Sequence, residues 1–452
     1  MQFFLRDETD ARLRAFGARS SKPLCIAAVI SYCFMLGMQL YSFFTFHGEP
    51  TSDAWRYVTD ALRCARAGVF YPQAADLVGK GTAGTGYVNL LILLFRVTEN
   101  VRAAYILNIL LVQLLLFSVL YLAFRATESR DVCAWTAIFF CLSATYWSEV
   151  CIARTEICFT ALAFFGLALL FSERGGLPFL TGFILASANW IRPLGTAFMA
   201  AAVWTLIYRK SKWHGYLRLA AGFGAAVLLI CCFTAHNCGE YLYQPTISSG
   251  NMLMGANEDA DGSYDDTVFT EGKAGYIQPE IKKDMRYTEI NAHYSEAASK
   301  WIHENPTRYI RLMPRKLFYM YISDTYSGDV YFDNLKQTSG SEYIREVVSM
   351  LRGEGRSFTS GDIFICWGQG FYMLTFALFL WGVIRSMRKG YWRSLSFLYG
   401  IFLIGTAMTV ITVGGGRYHF PYLPILFITA AACVQSVKYS LTEKRKKQHE
   451  NH

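Results

Sequence analysis

VRAAYILNILLVQLLLFSVLYLAF (residues 101–124) decides the fold. It exceeds the roughly twenty apolar residues a helix needs to cross a bilayer. PLCIAAVISYCFMLGMQLYSFFTF (23–46) does the same near the N-terminus; it is too long for a signal-peptide core, no small-residue cleavage site follows it, and it reads as a signal anchor. Further apolar runs lie at 131–149, 157–172, 177–191, 194–208, 216–236, 361–384, 394–412 and 418–437. Together they predict an all-α polytopic membrane protein with about ten transmembrane helices. Composition agrees, because 53% apolar against 17% charged residues is too greasy for a soluble chain of 452 residues.

Charge sets the expected sidedness. Arg6, Arg12, Arg14, Arg19 and Lys22 precede the first span, which puts the N-terminus (1–22) in the cytoplasm. The short run GYVNLLILLF (86–95) is ambiguous by length. If it crossed, the basic loops at 209–218 and 385–393 would face outward; lying flat as a juxtamembrane helix, it keeps them inside with the basic tail (438–452). The expected organisation is then a core over 23–236 with an outer loop at 47–100, a large extracytoplasmic loop at 237–360, and C-terminal spans over 361–437. The +9 net charge gathers at span ends, which argues against nucleic-acid binding. Most of the twelve cysteines sit in apolar runs as small hydrophobes, and no CxxC or Cys/His spacing suggests a metal.

TSDAWRYVTDALRCARAG (51–68) follows the first span and reads as a short helix outside the membrane, with Pro50 and Thr51 as turn and N-cap. Asp53, Tyr57, Asp60 and Cys64 share one face. A carboxylate in the first helical turn is held ionised, so Asp53 is a usable base as well as a plain helix cap. On the same expected side are Arg56, Arg154 and Glu156 in CIARTEIC, Arg192 in NWIRP, and Arg417-Tyr418-His419 in GGGRYHFPYLP. Either each arginine meets a local lipid phosphate or carboxylate, or they converge on an anionic substrate beside Asp53. In the large loop, 287–322 is helical in pattern and its latter half amphipathic, with Tyr309, Ile310, Leu312 and Leu317 set against Arg308, Arg311, Arg315 and Lys316. Asn257-x-Asp259-x-Asp261-Gly262 imitates half a calcium loop, but Val268 stands where the bidentate glutamate belongs, which favours a solvated acidic loop. Span centres nearly free of ionisable residues disfavour a transporter.

The Asp53-x-x-x-Tyr57…Ala61…Gly68 spacing, Gly86-Tyr87 opening the juxtamembrane segment, Arg154-x-Glu156, and Arg417-Tyr418-x-x-Pro421 before the last span resemble the GT-C membrane glycosyltransferases. The likeness is to the protein O-mannosyltransferase and lipid A aminoarabinose transferase kinds, over about 45–210 and the last span. The usual Asp-Glu pair is here Asp53-Ala54, and Lys-Pro-Pro is replaced by Gly84-Thr85-Gly86. The resemblance implies a GT-C-like bundle with outer juxtamembrane helices. It also implies an extracytoplasmic active site in a bacterial inner membrane that inverts a sugar as it passes from a polyprenyl-phosphate donor to a hydroxyl on protein, lipid or glycan. Asp53 would be the base, and Glu156 would orient the acceptor or bind a divalent cation. Arg56, Arg154, Arg192, Arg417, Tyr418 and His419 would hold the donor phosphate; no resident cofactor or metal follows. The competing classes are an O-antigen ligase or polymerase, and a lipid-carrier flippase or transporter.

Overall fold

The computed structural model describes residues 21–79, 82, 84–172, 177–269, 284–332, 348–349, 352–354, 357 and 359–450. Among them no strand forms, and the chain is an integral, all-α membrane protein. Among the described residues, six segments are long and apolar enough to cross a membrane. They are α1 (Lys22–Thr45), α4 (Arg102–Thr127), α10 (Trp213–Cys238), α15 (Ser360–Lys389), α16 (Trp392–Thr412), and α17 (Leu423–Glu450) with the 3₁₀ turn Gly416–Tyr422 before it. Thr145–Cys151 and Thr155–Leu170 (α6 is Thr145–Ser148, α7 is Thr155–Leu170) make a further span only as a broken pair bent by 118°. The expected ten are reached only with α5 (Arg130–Leu142, 13 residues), α8 (Pro178–Ile191, 14 residues) and α9 (Gly195–Tyr208, 14 residues). Each of these falls short of a full crossing.

The predicted helix over 131–149 ends at Leu142 instead. Asn108, buried on α4, donates to the carbonyls of Val150 (3.1 Å) and Ile152 (3.0 Å), so the bend's carbonyls are bonded by a side chain in place of the helix ladder. Gln39 on α1 donates to Tyr146 O (2.9 Å) in the same turn. The break has a use: it places Glu149 and Arg154 either side of the corner, turned toward each other.

Packing follows small residues. α8 and α10 meet at Gly182 and Gly222, where an added Cβ would run into the Leu219 and Phe179 carbonyls; without side chains there the backbones touch. α17 is the hub: 89% of its span is buried, against 22% for the peripheral α1.

Between the first span and α4 lie α2 (Ser52–Arg66) and α3 (Thr85–Thr98), which pack together with Tyr57 edge-on to Tyr87 at 5.7 Å. Thr51 is the N-cap, but its side chain makes no capping bond. Of the residues expected to share one face of α2, Tyr57, Asp60 and Cys64 are buried and Asp53 is not. The 237–360 region contributes α11 (Ser249–Met254), α12 (Tyr287–Glu304), α13 (Pro306–Tyr321) and α14 (Tyr326–Tyr331).

On α13 the buried face differs from the expected one. Tyr309, Leu312, Lys316 and Met320 are inside, while Ile310 and Leu317 are exposed. Lys316 tolerates burial because its amine donates to Thr412 O (2.7 Å) and lies over the Tyr309 ring. The acidic stretch forms a turn in which Asn257 donates to Leu253 O and Met254 O and accepts from Asp259 N, and Asp261 accepts from Ser263; Glu258 accepts from Trp301 on α12 and Arg308 on α13. Arg6, Arg12, Arg14 and Arg19, on which the expected sidedness rests, lie outside the described residues.

Candidate active site

The corner between α6 and α7 opens onto a small cleft. Arg154 enters it from the bend, Glu156 from the first turn of α7, Arg417 from the 3₁₀ turn ahead of α17, and Asp324 and Tyr326 from the segment after α13. A second small lobe shares Thr145, Asp324 and Ser327 with it.

Three arginines and three carboxylates pair off. Arg417 donates to Asp53 at 2.6 Å, Arg192 to Glu156 at 2.7 Å and to Thr155 at 3.2 Å, and Arg154 to both oxygens of Glu149 at 2.6 and 2.7 Å. The local-partner alternative therefore describes part of each arginine. It does not exhaust Arg154. That residue is only 4% exposed, lies over the Tyr326 ring at 4.4 Å, and keeps Nε and Nη1 buried without a hydrogen-bond partner. A buried donor left unpaired costs about 1–3 kcal/mol, and here the stranded N–H groups belong to a cleft-lining side chain. An oxyanion in the cleft would relieve that cost, and the guanidinium fork matches phosphate geometry.

The other expected site residues fall into place unevenly. Asp53 touches the cleft only through Arg417 and is 40% exposed at its side chain. Tyr418 is buried, with the guanidinium groups of Arg192 (5.7 Å) and Arg417 (5.4 Å) over its ring. Tyr57 is buried beside Asp53 and Glu156; burial first, then the Asp53 charge, pushes its phenol up and keeps it neutral. Arg56 is half-buried on α2 and lines neither lobe.

His419 departs from expectation. It is 1% exposed, with Nδ1 2.7 Å from Met320 O and Nε2 3.1 Å from Asp324 Oδ1. Both nitrogens are committed, so it supports Asp324 and has no nitrogen left for a phosphate. Asp324 and Glu149 are the site residues that sequence reading missed. Glu149 carried a signal, a lone acid inside an apolar run five residues before an arginine. Asp324, in the irregular stretch SDTYSGD (323–329), carried none. Among the described residues no three His, Cys, Asp or Glu side chains converge to hold a metal ion.

What fold and site define is an all-α polytopic membrane protein with an arginine- and carboxylate-lined cleft at one end of its bundle. No family model matches the sequence, and no curated protein does. Among solved structures, the chain is similar to the apo oligosaccharyltransferase of Archaeoglobus fulgidus at 13% identity and a TM-score of 0.48, over 94% of this chain and 51% of that one. A second match is the oligosaccharyltransferase AglB of the same organism, in complex with an inhibitory peptide and a dolichol-phosphate, at 11% identity and a TM-score of 0.46, over 95% and 52%. The chain thus spans about half the length of the structures it resembles.

Proposed function

We propose that this protein is a GT-C-type glycosyltransferase that moves a sugar from a polyprenyl-phosphate donor to an acceptor hydroxyl, at the extracytoplasmic face of a bacterial inner membrane. The observation that carries the reading is Arg154: a buried cation, half spent on Glu149, with two stranded donors on a side chain that lines the cleft. Arg154 and Arg417 hold the donor phosphate. Arg192 and Arg56 supply field around it, and Tyr418 sets the planes of Arg192 and Arg417. As the acceptor oxygen attacks the anomeric carbon, the bond from that carbon to the phosphate oxygen breaks and its electron pair stays on the phosphate. Guanidinium groups already in place stabilise the charge that grows there. Asp53 gives Oδ2 to Arg417 and offers its other oxygen to the acceptor proton, so the displacement is single and inverting. Glu156, tied to Arg192, orients the acceptor.

The test is transfer from radiolabelled polyprenyl-phosphate sugars into a membrane extract by the reconstituted protein. Asp53→Asn is expected to slow it by about 10²–10⁴-fold, the usual worth of a positioned base, with donor binding kept. Full activity of that variant would take the proton-accepting role from Asp53. No label transfer by the unaltered protein, across a panel of such donors, would remove the transferase reading itself.

A further inference from the structure

Helix α13 carries three stripes. At about 100° per residue, Tyr309, Leu312, Lys316 and Met320 form the buried one. Ile310, Pro314 and Leu317 lie about a third of a turn round from it, and all three are exposed. Arg308, Arg311 and Arg315 lie about a third of a turn further on and are exposed as well. Phe318, also exposed, stands between these last two stripes. A helix between a protein core and water needs two faces, so an uncovered apolar third calls for lipid or for more protein.

The neighbours of α13 fix its depth and decide for lipid. Tyr309 donates its hydroxyl to Ile411 O, and Lys316 donates to Thr412 O at 2.7 Å. Those are the last two residues of α16, a span of 21 residues. Its length of roughly 30 Å matches the hydrocarbon core of a bilayer. Helix α13 thus crosses the end of a span, where hydrocarbon gives way to headgroups. Toward its own C-terminus it dips inward: Tyr321 Oη lies 2.6 Å from Thr406 Oγ1, and the ring packs against Phe376 and Phe402. Pro314 fits the same depth. It has no N–H for the Ile310 carbonyl, and the headgroup zone, unlike hydrocarbon, has water to supply one.

The cations of the third stripe are not equally spent. Arg308 donates to Glu258 and lies over the Trp301 ring. Among the described residues Arg311 and Arg315 have no hydrogen bond and no ion pair. The acidic turn passes Arg315 at Gly262, yet Asp261 and Asp265 accept from Ser263 N and Thr267 N, and neither pairs with it. Two guanidinium groups one turn apart therefore face outward at the depth of lipid phosphates, whose geometry the planar fork fits. In a zwitterionic headgroup an ammonium already offsets the phosphate, so such a pair favours lipids of net negative charge.

We propose that α13 is a binding surface for anionic phospholipid, with Ile310, Leu317 and Phe318 on the acyl chains and Arg311 and Arg315 on the phosphates. The chain reaches Asp324, in the cleft, soon after the helix ends at Tyr321. Bound lipid therefore holds one wall of the cleft at phosphate depth, whatever reaction the cleft performs.

The experiment places the full-length protein in phosphatidylcholine bilayers that carry a trace of one photoactivatable lipid. The probe is phosphatidylglycerol or phosphatidylcholine with the same reactive chain, and mass spectrometry reads the label within 306–321. The unaltered protein should take more of the phosphatidylglycerol probe there. One arginine near the surface is worth about a fivefold preference, so Arg311→Gln with Arg315→Gln should cut the preference by up to about 25-fold and leave the phosphatidylcholine label unchanged. Arg311→Lys with Arg315→Lys keeps both charges and should keep most of the preference. Ile310→Ser with Leu317→Ser should lower both labels together. Equal labelling by the two probes in the unaltered protein, or an unchanged preference in the glutamine pair, would overturn the assignment. So would a segment that neither probe labels, because the apolar stripe would then be covered by protein, such as a second copy of this chain.

Discussion

Two buried cations sit at the same end of the bundle and do opposite things. Arg154 and Lys316 are 4% and 0% exposed, and both have aromatic rings beneath them. Arg154 has a carboxylate partner, borders a cleft and keeps two donors unspent. Among the described residues Lys316 has no carboxylate partner; it donates to the carbonyl of Thr412 and would lie 2.8 Å from a Cβ added at Gly255. Burial alone does not mark a functional cation. What separates them is unspent donor capacity at a cleft: on the proposed reading Arg154 meets a ligand there, whereas Lys316 is tied to the chain at Thr412.

Just beyond Thr412 comes the loop Gly414-Gly415-Gly416, which delivers Arg417 to the cleft and His419 to Asp324. A Cβ at Gly414 would sit 2.6 Å from Lys316 O and closer still to Gly262 O, so the chain passes here only because the side chain is missing. The large-loop region therefore shapes the cleft from behind as well as lining it.

The comparison breaks most decisively at Arg154. Arg154→Gln should reduce sugar transfer by about 10²–10³-fold, in line with the loss of a preorganised donor to a developing anion. Arg154→Lys keeps the charge without the planar fork and should fall between that variant and the unaltered protein. Removing Arg154 alone strands Glu149, so the control is Glu149→Gln with Arg154→Gln, which removes the buried charges together and should restore stability without restoring transfer. Recovery of transfer in the double variant would make Arg154 a structural cation like Lys316.

Sequence reading carried far where periodicity and sidedness apply. The long spans begin and end within a few residues of the apolar runs, because twenty lipid-facing residues leave little freedom in composition. Arg154, Arg192 and Arg417 were legible as a group, since charges at span ends are few enough to notice, and they do gather within reach of Asp53 and Glu156. The bend at 143–154 was not legible: its stability comes from Asn108 on another helix, and no local propensity records that. Asp324 was missed for a similar reason, as its partners Thr145, Gln369 and His419 come from three separate parts of the chain. The shifted face of α13 shows where binary patterning fails, because a lysine counts as polar until a carbonyl and a ring take it in.

Smaller effects should test how the glycine loop is held. Gly414→Ala presses a methyl against two backbone carbonyls that have no rotamer to escape into, at a cost of about 1–3 kcal/mol, typical of overpacking. Transfer should fall with it, because Arg417 shifts away from Asp53. Gly416→Ala meets nothing nearer than Ser323 O at 3.0 Å and should be milder in both thermal midpoint and activity. Equal effects at the two glycines would mean that the loop is not gripped where it passes Lys316.

The smallest effect, and the sharpest in sign, is expected at Lys316 itself. Burial pulls its ammonium down from 10.5 to about 8. A depressed folded-state value means that the stability contribution is fully present above the unfolded value of 10.5 and is lost as pH falls through about 8. At neutral pH the fold thus carries a desolvation cost on the order of 3 kcal/mol, set against the bond to Thr412 O and the Tyr309 ring. Lys316→Met keeps the stem and drops the charge. The thermal midpoint at pH 7 should rise by the equivalent of about 1–2 kcal/mol after the lost hydrogen bond is subtracted, and the pH dependence between 8 and 10.5 should flatten. Transfer should stay within about twofold, since Lys316 lines neither lobe of the cleft. A lower midpoint, or a loss of transfer on the scale of Arg154→Gln, would show that the second buried cation also serves the ligand and would erase the contrast.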